Sequence, residues 1–569
     1  MVTGILLNIK KWPVTALCAL TIISCGGGES TPYQATGINT GSASSNYQKE
    51  DSTAGIPEIG AALQQPVADD YQAVRFLHRA SFGPRLDDIE ALTIKGYSAW
   101  IEEQLQMPAS FMLPLTRQRN EPRWLEHVNS WFKLSVNAPD QLRQRVAYAL
   151  SQFFVVSGEG ELGGQPAALA NYYDILIAHS FGNFRDLIEQ VTLSPVMGNY
   201  LSMKGNQKPD PESNIRPDEN YARELLQLFS IGLVQLNIDG SVITDSDGVP
   251  LPTYNQEIVE NFAHVFTGWN FNNVDDWNYP KNEDWFSPMQ AYDEHHDKGT
   301  KTLLRGRTLP PGQSAEKDLQ DALNNIFNHP NVGPFFSRHL ITQLVTSNPT
   351  PEYIERVATV FNSDSNGLRG NIAAVVSAIL LDQEALNGFT NNPQFFGKLR
   401  EPIVRLVALW RAFEGNPDNA QFDYSWIAER LSQAPLQSPS VFNFYSPDFS
   451  QPGTIRQRGM SSPEFQIHNE SSMISITSAL LAHTIWRNTI SDSDPAFAPV
   501  DISPIMLRDG DVNAQLSYLS KLTLHSPASD SLQRQAHYLL EERSQATSEI
   551  RAEDLLFLFV SSPEAAVQR

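Results

Sequence analysis

Cysteine is almost absent from this chain, since only Cys18 and Cys25 occur among 569 residues. Two thiols near the N-terminus cannot build a disulfide-stapled scaffold or a zinc site of four thiolates. Basic residues are also in the minority, with 41 Lys and Arg against 64 Asp and Glu and a net charge of −23. This charge opposes binding to polyanions through a generally basic face, so we expect no nucleic-acid partner.

Complete catalytic signatures are missing as well. The sequence has no G-x-S-x-G elbow, no Walker phosphate loop, no H-E-x-x-H zinc motif and no C-x-x-C-H haem attachment site. A serine nucleophile stays open, because catalytic triads assemble in space and not in sequence order. Composition and motifs therefore name no reaction.

The N-terminus has the features of an export signal. Lys10 and Lys11 precede an apolar stretch over residues 12–23 that is too short to cross a bilayer core of about 30 Å as a helix. The stretch ends in Ile22-Ile23-Ser24-Cys25, which resembles a bacterial lipobox, and Gly26 resembles the outer-membrane sorting pattern. We therefore predict a signal peptide over residues 1–24, a lipid attached to Cys25 and anchoring in the cell envelope, at the outer membrane. The alternative is ordinary cleavage that leaves a free thiol.

Two further segments follow Cys25. Residues 25–70 are rich in small polar side chains and poor in large apolar ones, which predicts a flexible, lipid-anchored tether. From residue 71 to 569, apolar residues recur at helical spacing and alternating β-branched runs are nearly absent. We therefore predict an all-α fold, a large multi-helix domain with long loops and at most one small β-hairpin. That hairpin is placed over residues 234–254, with Asp239-Gly240 at its turn.

Several segments of this domain resemble, in order, the motif blocks of a bacterial family known as domain of unknown function 1800. The segments include 76–84 (FLHRASFGP), 141–157 (QLRQRVAYALSQFFVVS), 219–232 (ENYARELLQLFSIG), 296–301 (HDKGTK), 400–402 (REP) and 440–445 (SVFNFY). The family brings no established activity or catalytic residues. The resemblance implies export and the company of a secreted sulfatase-like protein, so we expect an exported protein partner.

Glu224 is the first candidate site residue. Apolar residues cover most of the circumference of the predicted helix around it, so the helix should be largely buried. A buried carboxylate needs a partner, and Glu224 is either a metal ligand or general base, or half of a structural ion pair. Its neighbour Arg223 can pair with Glu219 one helical turn away.

A second group of candidates lies further along the chain. Glu260 and His264 are four residues apart on a predicted helix, a spacing that suits either a shared metal ion or a surface pair. His296 and Asp297 are adjacent in a loop rich in tryptophan and tyrosine. They suit a metal site or a base with its orienting acid, or else a loop pinned by side-chain hydrogen bonds. The aromatic residues suit either a sugar-binding cleft or the packing of the loop.

These residues give two hypotheses. In the first, the protein is an accessory or scaffold protein that binds an exported partner. In the second, it is a metal-assisted hydrolase of an extracytoplasmic polymer, with His296, Asp297 and Glu224 as catalytic residues. The candidate metal ligands are then Glu224, His264, His296 and Asp297. A divalent metal ion is the one cofactor that the residues suggest, and its identity stays open.

Overall fold

Helices run through most of the chain that the computed structural model describes, namely residues 67, 69–118, 122, 124–415, 430–486 and 500–569. The predicted signal peptide, Cys25 and the tether as far as residue 66 lie outside the described residues. The all-α prediction is confirmed, because the few strands of the described residues are two residues long. The predicted division into signal peptide, tether and helical domain stays a prediction.

The first nine helices of the described residues surround a core of aromatic and aliphatic side chains. Trp131, Tyr148 and Tyr173 are among its largest buried residues. These helices are α1 (Asp70–Ala80), α2 (Leu86–Lys95), α3 (Tyr97–Gln106), α4 (Met112–Thr116), α5 (Glu126–Asn137), α6 (Gln141–Ser151), α7 (Pro166–His179), α8 (Phe184–Leu193) and α9 (Pro195–Tyr200). Helix α7 packs against α4, α6 and α8, so it lies at the centre of this group.

The middle of the chain continues the helical pattern. Its helices are α10 (Asn220–Gln227), α11 (Gln256–Val265), α12 (Ala315–Phe327), α13 (Val332–Leu344), α14 (Pro351–Asn362), α15 (Ile372–Leu381), α16 (Gln383–Asn391) and α17 (Pro402–Ala412). Asn255 caps the start of α11, because its side chain accepts a hydrogen bond from the Ile258 N–H, and Ser314 caps α12 by accepting from the Lys317 N–H. These two caps fix the helices that carry the candidate site.

The C-terminal part packs back onto the first two. Its helices are α18 (Thr454–Gln457), α19 (Glu470–Thr484), α20 (Ser503–Met506), α21 (Val512–Thr523), α22 (Asp530–Glu542), α23 (Ser548–Val560) and α24 (Pro563–Ala566). Helix α17 packs against both α5 and α21, and α19 packs against α23. Residues distant in sequence therefore share one hydrophobic core.

Short strands pair at three places in the described residues. Strand β1 (Trp269–Asn270) pairs with β2 (Gln290–Ala291), β3 (Lys301–Thr302) with β4 (Thr308–Leu309), and β5 (Lys398–Leu399) with β6 (Val567–Gln568), all antiparallel. The segment predicted as a hairpin forms isolated bridges instead, among them Val234 with Pro252 and Leu236 with Val242. Its turn glycine, Gly240, has a φ of 77°, which a side chain would disfavour.

The stretch Ile372–Asn391 is long and apolar enough to cross a membrane by length and composition, a property that helices of a protein core share. Ile372, Val375 and Ile379 on α15 are fully buried in the core. Asp382 then interrupts the stretch, since its side chain caps α16 by accepting from the Glu384 N–H. Packing within the fold accounts for the apolar character of this segment.

Candidate functional site

The candidate site lies where the end of α11 meets the loop before β3 and the start of α12. Strand β3 packs on α11, and the Thr302 N–H donates to the Asn261 side chain at 2.8 Å. The chain then turns at Gly268, whose φ is 83°. A Cβ at this position would lie 2.9 Å from the His296 Cβ, so glycine permits the close approach of the loop. The turn brings His264 and the 293–301 loop together.

His264 and Asp297 form a hydrogen-bonded pair across this junction. The distance from His264 Nδ1 to Asp297 Oδ2 is 2.5 Å, and both side chains are partly exposed. Asp297 also accepts from the Gly299 N–H. The hydrogen bond from His264 is the largest cause that lowers the pKa of Asp297 to about 2. A carboxylate bonded to Nδ1 orients the ring, which is the role of the acid partner of a histidine general base.

The side chain of His296 is completely buried and forms its hydrogen bonds with residues other than His264 and Asp297. Its Nδ1 lies 2.9 Å from the Thr267 carbonyl oxygen, and its Nε2 lies 3.1 Å from Asp318 Oδ2. The neighbours His296 and Asp297 therefore do not pair with each other, although both were predicted as catalytic. Because both nitrogens of His296 are engaged by the protein, this ring pins the loop to α12.

Asp318 is the centre of a buried network that the sequence patterns did not single out. Its carboxylate accepts from Lys301 Nζ at 2.7 Å, from His296 and from Gln313 Nε2 at 2.5 Å. Burial raises the pKa of Asp318, but these hydrogen bonds outweigh it and the pKa lies below its ordinary value. One feature of the sequence could have identified Asp318, because it is an acidic residue on the apolar face of α12, directly before the buried Leu319.

Glu224 lies on α10 and takes no part in either group. It is 6% exposed, and its Oε2 has no hydrogen-bond partner among the described residues. Burial raises its pKa, while the charge of Arg223 lowers it. Arg223 itself pairs with Glu219 at 2.7 Å, as the spacing predicted.

The four predicted metal ligands are thus divided between separate places. Within the described ranges, no group of three or more His, Cys, Asp or Glu side chains is arranged to hold a metal ion. The structure pairs His264 with Asp297, directs His296 to Asp318 and places Glu224 on another helix. These four side chains do not converge on one point, and the metal site stays a prediction.

The aromatic residues of the long loop pack on one another. The rings of Trp277 and His295 stack at 3.9 Å between centroids, and Trp285 contacts Phe271 edge-on at 4.9 Å. Lys204 covers the Phe271 ring at 4.3 Å. These contacts favour the packing of the loop over a sugar-binding cleft. A cavity of about 240 Å³ is lined by other residues, among them Asn348, Glu384 and Asn392.

A second buried carboxylate joins three of the segments that carry the family resemblance. Glu401 Oε1 accepts from Tyr148 and Tyr445, each at 2.9 Å, and from Gln433 Nε2 at 2.7 Å. Burial, the largest cause, and the charge of Glu401 raise the pKa of Tyr148 well above its ordinary value, so the phenol stays a donor. These segments therefore meet in the core, where their polar residues stabilise the junction of α6 with α17.

A family model with the description "Protein of unknown function (DUF1800)" matches residues 75–567. Comparisons with curated proteins and with solved structures gave no match.

Proposed function

Given that the chain belongs to this DUF1800 family of proteins of unknown function, we propose that it is an exported lipoprotein of the cell envelope that serves as an accessory or scaffold protein for an exported partner. The lipid on Cys25 would hold it at the outer membrane, and the helical domain would present the binding surface. The first partner to test is a secreted sulfatase-like protein.

The observation that carries this proposal is the outward face of α19. Met473 and Ile474 are 48% and 71% exposed, and Trp486, just beyond the helix, is 51% exposed. After Glu470 the helix itself has no Asp, Glu, Lys or Arg. Exposed apolar side chains that are neighbours, as Met473 and Ile474 are, mark protein interaction sites, and Met and Trp are enriched in such interfaces.

A hydrolase is the second candidate, and the His264–Asp297 pair is the observation that favours it. His264 would act as the general base, with Asp297 orienting its ring. His296 and Glu224 do not join this pair, so the pair would have to work with groups of the substrate or with water.

The anchoring is tested by Cys25→Ala. In the wild type, metabolic acyl labelling should mark the protein, and it should fractionate with membranes. The substitution should remove the label and release the protein, because the short apolar segment cannot anchor once it is cleaved. A wild-type protein that fractionates as soluble and carries no acyl mass would contradict the proposal.

The binding surface is tested by a photo-crosslinking amino acid placed at Ile474 in living cells. A matched control carries the same group at Tyr538, a 65% exposed aromatic residue on α22. We expect a discrete adduct with an exported protein from position 474 and none from 538, and Ile474→Glu should weaken the partner's co-purification. Equal crosslinking at both positions, or none at 474, would argue against this surface.

A further inference from the structure

A pocket lies on one side of α16, beside the connection between α13 and α14. Its volume is about 240 Å³, many times the roughly 10–15 Å³ that one water requires, so a compact ligand such as a single sugar ring can enter. The wall on α16 consists of residues at helical spacing, namely Gln383, Glu384, Gly388, Asn391 and the cap residue Asn392. The remaining wall consists of Asn348, Thr350 and Phe396.

Phe396 supplies the apolar part of this wall. It is 7% exposed, and Arg79 Cζ on α1 lies 5.3 Å from the centroid of its ring. A Cβ at position 388 would collide with the same ring, so Gly388 permits Phe396 to lie directly against α16. The ring is therefore fixed by its neighbours, and a rigid aromatic side chain offers apolar area to one face of a ligand.

Two polar residues of the wall are held by the protein itself. Glu384 Oε1 accepts from the Thr350 N–H at 3.1 Å, and its Oε2 accepts from the Thr350 hydroxyl. Asn348 donates to the Ser461 carbonyl at 2.9 Å and accepts from the Ser461 N–H at 2.8 Å. These bonds fix the shape of the pocket before any ligand binds.

Three amide side chains remain available to a ligand. They belong to Gln383, Asn391 and Asn392, which are exposed and whose side chains form no hydrogen bond with the described residues. Each amide carries both donors and an acceptor. A hydroxyl group is likewise both a donor and an acceptor, so these amides match a ligand with several hydroxyl groups.

The charge of the lining distinguishes between classes of ligand. Among the described residues that line the pocket there is no Lys, Arg or His, and the one charged side chain is that of Glu384. Helix α16 also ends at the pocket, and the C-terminal end of a helix carries partial negative charge. Anions are therefore disfavoured. Because both oxygens of Glu384 already accept hydrogen bonds, the groups left for a ligand are neutral.

We propose that this pocket binds one neutral sugar unit. Its hydroxyl groups bond to the amides of Gln383, Asn391 and Asn392, and an apolar face of the ring packs on Phe396. The inference goes beyond the accessory role proposed above and does not depend on it, because the pocket shares no lining residue with α19 or with the His264–Asp297 pair.

The test measures sugar binding to the full-length protein by saturation-transfer difference NMR. The protein is purified in a detergent without a sugar head group, because a maltoside would compete for the site. The probes are the methyl glycosides of glucose, galactose and N-acetylglucosamine. We expect a saturable signal from at least one of them. Glucuronate and glucosamine, which carry a negative and a positive charge on the same ring, should bind more weakly than the neutral sugars.

Two variants locate the binding on α16. Asn391→Ala and Gln383→Ala each remove one amide and should weaken the affinity about 3- to 10-fold, the effect of losing one neutral hydrogen bond. Thr390→Ala is the matched control, because Thr390 is an exposed residue of the same helix that does not line the pocket. It should retain the wild-type affinity. All three positions are exposed, so the melting temperatures should stay close to that of the wild type.

Cellobiose, lactose and chitobiose then identify the source of the sugar. Tighter binding of a disaccharide than of its monosaccharide supports the site and indicates a glycan chain, whereas equal binding supports the site and indicates a free sugar. The absence of a saturable signal from every neutral sugar would overturn the proposal. Charged sugars that bind as well as neutral ones, or wild-type affinity in both amide variants, would overturn it too.

Discussion

Asp318→Asn is the substitution that most directly tests the buried network at the candidate site. It preserves the size of the side chain and removes its charge. The side chains of Asp318 and Lys301 are 1% and 2% exposed, so neither can be rehydrated without opening the fold. Without the carboxylate, Lys301 retains only neutral acceptors, namely the carbonyls of Asp297 and Gly299 and the amide oxygen of the new side chain.

The expected cost follows from this burial. Removing one partner of a buried ion pair strands the other charge and costs about 3–5 kcal/mol. The control is Asp321→Asn, the same substitution on the same helix, because the partner of Asp321, Lys317, is 58% exposed. An exposed pair contributes at most about 1 kcal/mol. The double variant Asp318→Asn with Lys301→Met should recover part of the loss, because it removes the stranded ammonium group.

Urea unfolding followed by circular dichroism at neutral pH measures these differences. We expect Asp318→Asn to lower the midpoint strongly at an unchanged slope, with Asp321→Asn close to the wild type. If Asp318→Asn and Asp321→Asn cost the same, within about 1 kcal/mol, the argument for a buried charge network is refuted. A double variant less stable than Asp318→Asn alone would refute the explanation by a stranded lysine.

Three further predictions concern single titratable groups. Burial lowers the pKa of His127 to about 3, so below pH 6.5 the unfolded chain binds a proton that the folded ring does not, and stability falls. At pH 5 this costs about 2 kcal/mol relative to pH 8, and urea titrations of His127→Gln should show a correspondingly smaller fall, whereas an unchanged pH profile would contradict it. Glu224→Gln should stabilise the protein at pH 7, because burial raises the pKa of this carboxyl and penalises its charged form, and a lower melting temperature would instead indicate an essential charge. His264→Ala should raise the pKa of Asp297 from about 2 toward its ordinary value, which carboxyl ¹³C NMR measures, and an unmoved pKa would mean that the pair does not form in solution.

Local spacing explains why parts of the structure were predictable from the sequence. Helical periodicity over residues 71–569 led to the all-α fold, since it determines which helix faces are apolar. The Glu219–Arg223 pair was predictable for the same reason, because residues four apart on a helix are neighbours. Glu224 was likewise expected to be buried, and it is 6% exposed.

The partners of the loop residues were decided only by the tertiary structure. His264 pairs with Asp297, which is 33 residues away, and His296 pairs with Asp318, which is 22 residues away. In sequence, His296 and Asp297 are adjacent and suggest one dyad, but consecutive side chains of this loop point to different helices. The path of a loop depends on long-range packing and on the close approach at Gly268, and local sequence does not specify either. By itself, the sequence therefore determined the helices and their buried faces, whereas the folded chain decided which polar groups meet between them.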